Sequence, residues 1–182
     1  IRAALPQAEI TLVAMPFVEE LAARLPAVDR FVPFPGFPGM AEQFFDPGRA
    51  AEFFRRMQAE RFDLAVQMHG SGVYSNPVAL MMGARTTAGF VRPRDPPGRL
   101  DAALPMPAGH EIRRVLALSA FLGAAPQGEA TELPLRADDH AAAESLLCKM
   151  APPLLGLHPG ARDESKRWPP ENFAAVGKEW LR

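Results

Sequence analysis

Short apolar runs alternate with segments of helical periodicity along this chain, and that alternation restricts the fold more than any other feature. Residues 10–15 read as a buried strand, after which Phe17, Val18, Leu21, Ala22 and Leu25 recur at helical spacing until Pro26. Phe31, Val32 and Phe34 suggest a second strand, followed by a Pro/Gly loop from Pro35 to Gly39. Ala50, Phe53, Phe54 and Met57 stand at i, i+3, i+4 and i+7, so an amphipathic helix is expected over Pro47–Glu60. Residues 63–68 form the next strand, 77–82 a small-residue helix and 86–90 a further strand, whereas 91–109 read as a long loop. Ile112, Val115, Leu116 and Leu122 mark another helix, and Asp138 is placed to cap one more that ends near Met150. Residues 154–157 make an apolar run of the kind found in parallel strands covered on both faces. Strands alternating with helices through short loops give parallel βαβ units, so the expected class is α/β with an open parallel sheet.

Composition removes several function classes. At 182 residues the chain has room for one ordinary domain, or one domain and part of another. With 48% hydrophobic and 23% charged residues it carries enough apolar side chains to bury a core, which excludes a disordered chain. Its longest apolar stretch, 115–125, is 11 residues, against the roughly 20 that a spanning helix needs. A formal net charge of −1 offers no electrostatic footprint for nucleic acid. The lone Cys148 allows no intramolecular disulfide and no Cys-based zinc site, and it fits a reducing compartment. The four histidines are scattered without metal-ligand spacing, so no metal site is expected. Residues 1–6 read as the last turn of a helix, and Phe173, Val176, Gly177, Trp180 and Leu181 form a helical stripe with no stop signal, so a longer native protein is expected.

The stretch from Leu155 to Pro170 carries the chemistry. An apolar strand ends at Leu157, a loop presents Gly160, Arg162, Lys166 and Arg167, and Pro169-Pro170 opens a helix. Loops at the carboxyl ends of parallel strands are where α/β sheets bind ligands. Backbone N–H groups around Gly160 and Ala161, together with the cations, would suit a phosphate or diphosphate. The alternative is a solvated loop in which Arg162 and Lys166 pair with Asp163 and Glu164. A nucleotide-hydrolysing P-loop is disfavoured, because Ser165 stands in place of its second glycine and Arg167 in place of its magnesium-binding hydroxyl.

His69, Gly70, Ser71 and Gly72 follow the strand at 63–68. They read either as a ligand-binding loop, with Arg92 beside it, or as a tight glycine turn with a satisfied histidine. An α/β-hydrolase is excluded because no G-x-S-x-G elbow occurs. His110 and His140 read as exposed polar residues at helix starts, and His158 as a residue that shapes the strand–loop corner. Trp168 either covers a nucleotide base or anchors the helix that follows. Phe31, Phe34, Phe37, Phe44 and Phe45 form either an exposed apolar rim or core packing.

His158-Pro-Gly-Ala161, followed by Lys166-Arg-Trp-Pro169, Glu171 and Phe173, resembles the signature of glycosyltransferase family 9, the ADP-heptose:lipopolysaccharide heptosyltransferases and their relatives. The strand and His-Gly loop at 63–72, Gly83-Ala-Arg85 leading to Gly89-Phe90, and Ala3-Ala-Leu-Pro6 before the first strand fit the same family. The resemblance implies a GT-B fold of two Rossmann-like domains. Residues 1–135 would be the acceptor-side domain without its first strand, 136–152 a linker helix and loop, and 153–182 the start of the nucleotide-sugar-binding domain.

Carried over from that family, Gly160, Ala161, Arg162 and Lys166 would contact the donor diphosphate, and His69, Gly70, Ser71 and Arg92 would be acceptor-side candidates. The family's catalytic Asp would lie upstream of Ile1 and its Asp-x-Gly-x-x-His segment downstream of Arg182. No catalytic residue is therefore assigned within the chain, which alone is expected to be inactive. The implied reaction is inverting, metal-independent transfer of a heptose or related sugar from an ADP-sugar, such as ADP-heptose, to a lipid A/lipopolysaccharide core acceptor. No Asp-x-Asp motif occurs, and no cofactor is implied beyond the nucleotide-sugar substrate. The implied location is cytoplasmic, peripheral to the inner face of the inner membrane, with no nucleic-acid partner. Taken as complete, the chain would instead be a non-catalytic Rossmann-like module that binds a phosphorylated or sugar ligand.

Overall fold

The computed structural model describes residues 1–38, 44–96, 98–150, 152–161 and 163–181, so Gly39 of the expected Pro/Gly loop lies outside the described residues. The chain divides into two compact units, Ile1–Pro134 and Leu135–Arg182.

In the first unit β1 (Thr11–Ala14) leads through a 3-10 turn (Pro16–Val18) and the single helical turn α1 (Glu19–Ala22) to β2 (Arg30–Pro33). The two strands pair in parallel, with Leu12 opposite Phe31 and Val13 opposite Val32. The Asp29 carboxylate fastens the start of the ladder, accepting from the Ile10 N–H at 2.6 Å and pairing with Arg2.

The long helix α2 (Pro47–Glu60) has the bounds its sequence dictates. Asp46 caps it by accepting from the Arg49 N–H at 3.0 Å, and Pro47 occupies the first turn, where a missing N–H costs nothing. Arg61 ends it in the left-handed region, with φ 54°. Its stripe of Ala50, Phe53, Phe54 and Met57 is buried against Val32, Phe34, Val78 and Met82, the main core. Phe34 and Phe53 meet edge to face at 5.6 Å, and Phe37 meets Phe54 at 6.0 Å. The phenylalanine run is therefore core packing. Phe34 is buried, Phe37 and Phe45 lean on the core, and of the run only Phe44 is largely exposed, at 93%. No apolar rim is assembled from these five residues.

β3 (Leu64–Gln67), α3 (Ser75–Met81), β4 (Thr86–Val91) and β5 (Ala102–Pro105) complete a second parallel ladder in the order β3-β4-β5. β4 is central and the most deeply buried strand. β5 departs from the expected long loop at 91–109. Its Ala- and Pro-containing sequence has little intrinsic strand preference, and pairing with β4 makes it extended. Asp101 starts that pairing by accepting from the Thr87 N–H at 2.7 Å. Pro105 sits at the end of this edge strand, where no donor is needed. The expected α/β arrangement of parallel strands is present, as two parallel ladders among the described residues, β1–β2 and β3–β4–β5. The unit closes with α4 (Glu111–Phe121), whose first turn is capped by His110 Nδ1 accepting from the Ile112 N–H at 3.3 Å.

The second unit holds α5 (Ala137–Leu147), a 3-10 turn (Glu164–Lys166) and α6 (Pro170–Trp180). The cap of α5 is Arg136 rather than Asp138, and Asp139 reaches back to accept from the Arg136 N–H at 2.7 Å. It ends at Leu147, short of Met150. Residues 154–157 are not a strand: no neighbouring strand in this unit pairs with them among the described residues, and Leu154, Leu155 and Leu157 stay exposed. An apolar run becomes a strand only where a ladder receives it.

Candidate functional site

Of the acceptor-side candidates, His69, Gly70 and Ser71 lie where β3 runs into α3, and Arg92 directly follows β4. His69 and Gly70 are exposed, while Ser71 and Gly72 turn inward. The loop is held from beneath by polar groups that sequence reasoning did not single out. Gln67, 5% exposed, accepts from the Phe90 N–H at 3.2 Å and donates through Nε2 to Ser75 Oγ at 2.5 Å and to the His69 carbonyl. Ser75 Oγ donates to the same carbonyl at 2.7 Å. Asn76 Nδ2 donates to the Phe90 carbonyl at 2.9 Å, and its buried Oδ1 has no partner among the described residues. The available signal was a glutamine at the end of an otherwise apolar strand, where a hydrophobe would be expected.

Gly72 is required by space as well as by conformation. Its φ is +86°, and a Cβ there would come within 2.3 Å of both Asn76 Nδ2 and the Phe90 carbonyl. The close approach brings Ser71 into a half-open depression of about 210 Å³ with Asn76, Arg92, Asp95 and Arg99. Arg92 Nε donates to Asp95 Oδ2 at 2.6 Å, so Arg99 leaves this depression with one net positive charge. The fold therefore brings Ser71 and Arg92 to one hollow. His69 and Gly70 are on the same loop but do not line it.

The second candidate segment runs from His158 to Arg167, within the second unit. Gly160 is exposed, Ala161 is half-buried, and Arg162 lies outside the described residues. Among those residues neither the Gly160 nor the Ala161 N–H donates a hydrogen bond. Asp163 caps the 3-10 turn, accepting from Ser165 Oγ at 2.8 Å and from the Ser165 N–H at 2.9 Å. Those two bonds hold its carboxyl below the usual range. Arg167 Nε donates to the Ala161 carbonyl at 2.7 Å, and its guanidinium lies 3.5 Å from Glu164. The two acids of the loop thus engage Ser165 and Arg167, while the exposed Lys166 side chain makes no hydrogen bond or ion pair among the described residues. Trp168 meets Phe173 edge to face at 5.1 Å, which anchors it to α6. Its outer surface remains open. His158 is exposed.

Residues 50–181, well over half of the chain, match glycosyltransferase family 9 (heptosyltransferase). No curated protein matches. Among solved structures the chain is similar to the ADP-heptose lps heptosyltransferase II of E. coli, with a TM-score of 0.63 and 21% identity. The alignment covers 99% of this chain and 54% of that one, so the chain spans about half the length of the structure it matches. The likeness shows a GT-B heptosyltransferase fold with Rossmann-like parallel strands. Together with the match over 50–181, it establishes that the chain belongs to glycosyltransferase family 9.

Proposed function

We propose that the chain is the acceptor-side domain and the opening of the donor-side domain of an inverting glycosyltransferase that moves a heptose from ADP-heptose to a lipopolysaccharide core acceptor. The observation that carries this reading is Lys166. It stands exposed and unpaired among the described residues on a loop whose acids are otherwise engaged, inside the segment that matches the family. A cation in that state is available to a diphosphate, and the N–H groups of Gly160 and Ala161, which donate to no other described residue, add two further donors.

In this reading an acceptor hydroxyl, losing its proton to a carboxylate upstream of Ile1, attacks the anomeric carbon from the face opposite the diphosphate. The bond from that carbon to the diphosphate oxygen breaks, ADP leaves, and the configuration inverts. Lys166 neutralises charge that grows on the β-phosphate as the bond lengthens, a contact stronger in the transition state than in the ground state. In this reading Lys166 and the backbone N–H groups take the place of a metal at the leaving diphosphate, and the nucleotide sugar is the substrate with no further cofactor. Ser71 and Arg92, on the hollow at the end of β3, take the acceptor. The acceptor's lipid anchor would keep the enzyme at the inner face of the inner membrane, although no described helix is long and apolar enough to cross one.

Lys166→Ala in the enzyme that carries this chain is expected to lower kcat about a hundredfold, with the acceptor KM unchanged. Steady-state kinetics with ADP-heptose check it. Unaltered kcat would return the loop to a solvated surface.

A further inference from the structure

We propose that Gln67 and Ser75 are positioning residues that hold the loop 69–72 in the conformation that meets the acceptor. The inference rests on the acceptor-side reading given above. Gln67 is the last residue of β3, at a place where the preceding residues are Leu64, Ala65 and Val66 and where a hydrophobe would pack without desolvation cost. Its amide instead makes three hydrogen bonds, one to β4 and two into the loop and the start of α3. Ser75, 7% exposed, turns its hydroxyl onto the same target. The His69 carbonyl thus receives two buried donors, which sets the direction in which the chain leaves β3.

The neighbouring strand is shaped to this arrangement. Gly89 lies opposite Gln67 in the ladder, and a Cβ there would come within 2.9 Å of Gln67 Cβ and 3.0 Å of Oε1. The glutamine therefore lies flat across β4, a path that any side chain at residue 89 would close. At the other end of the loop, Gly72 presses against the Phe90 carbonyl and Asn76. Both ends are tied to the last residues of β4, so Gly70 and Ser71 are presented between two fastened points. A buried polar network of this kind is costly unless satisfied, and what it supplies over an apolar strand end is a single loop conformation.

The enzyme that carries this chain is titrated with deacylated lipopolysaccharide core oligosaccharide and, separately, with ADP, and amide hydrogen exchange is followed residue by residue. In Ser75→Ala the amides of residues 69–72 should exchange about tenfold faster, and the Kd for the oligosaccharide should rise about five- to tenfold. The ADP Kd and the exchange of α2 should keep their unsubstituted values. Gln67→Glu, equal in size but without the Nε2 donors, should show the same pattern. Unchanged loop exchange in both variants overturns the proposal, as does a loss spread equally over α2 and over both ligands. If the unsubstituted enzyme does not bind the oligosaccharide, the acceptor reading falls, and loop exchange still decides whether these two residues hold the loop.

Discussion

A methyl group at residue 72 would stand 2.3 Å from Asn76 Nδ2 and from the Phe90 carbonyl, and neither can retreat without breaking the bond between them. Gly72→Ala should therefore cost about 2 kcal/mol or more. Gly70→Ala, at φ +60° with nothing within 4 Å, should cost only about 1 kcal/mol. Urea denaturation of the two variants compares these costs directly, and equal losses would refute the steric account. Asp29 supplies a pH prediction. The Ile10 N–H first, and then Arg2, hold its carboxyl below the ordinary value. A depressed folded-state value gives stability that is present above the unfolded pKa and lost as pH falls through the folded one. The stability gap between the native chain and Asp29→Asn should accordingly be open at neutral pH and close on acidification, as denaturation at a series of pH values would show.

Helix α2 is the element in which local and tertiary signals agree most fully. Its cap, its first-turn proline and its i, i+3, i+4, i+7 stripe all name the same segment, and the stripe is the face that the core receives. Met57, fully buried at 0% exposure, should cost about 2–5 kcal/mol when replaced by alanine. Asp46→Ala should remove about 1 kcal/mol through loss of the cap. Thermal or urea unfolding separates the two, and a larger effect at Asp46 than at Met57 would contradict the packing described. β5 and residues 154–157 show the reverse relation between sequence and element. The first has weak strand preference yet is a strand because β4 pairs with it, and the second is apolar throughout yet pairs with nothing described. In α5 the cap passed over Asp138, because the side chain that reaches the free N–H is that of Asp139.

At the scale of the whole molecule, the two units differ in how much they bury. The first contains every fully buried hydrophobic residue among those described, and the second contains none. Amides of α6 should therefore exchange far faster than those of α2 in the isolated chain, a contrast that hydrogen-exchange mass spectrometry reads directly. The chain alone should also transfer no sugar from ADP-heptose; turnover by purified 1–182 would refute the division of labour proposed here. Much of the first unit was legible in advance. Short apolar runs and the stripe on α2 reflect local periodicity, which each segment carries in its own residues whatever surrounds it. The segment from His158 to Pro169 likewise announced its family through residue types at fixed spacing. Tertiary structure alone decided the rest. It joined Ser71 to Arg92, made β5 a strand, set Gln67 and Ser75 beneath the loop, and turned Arg167 rather than Lys166 toward Glu164. Those outcomes depend on which groups meet across the fold, and a hydrogen bond between distant residues leaves no periodic trace in either of the segments that form it.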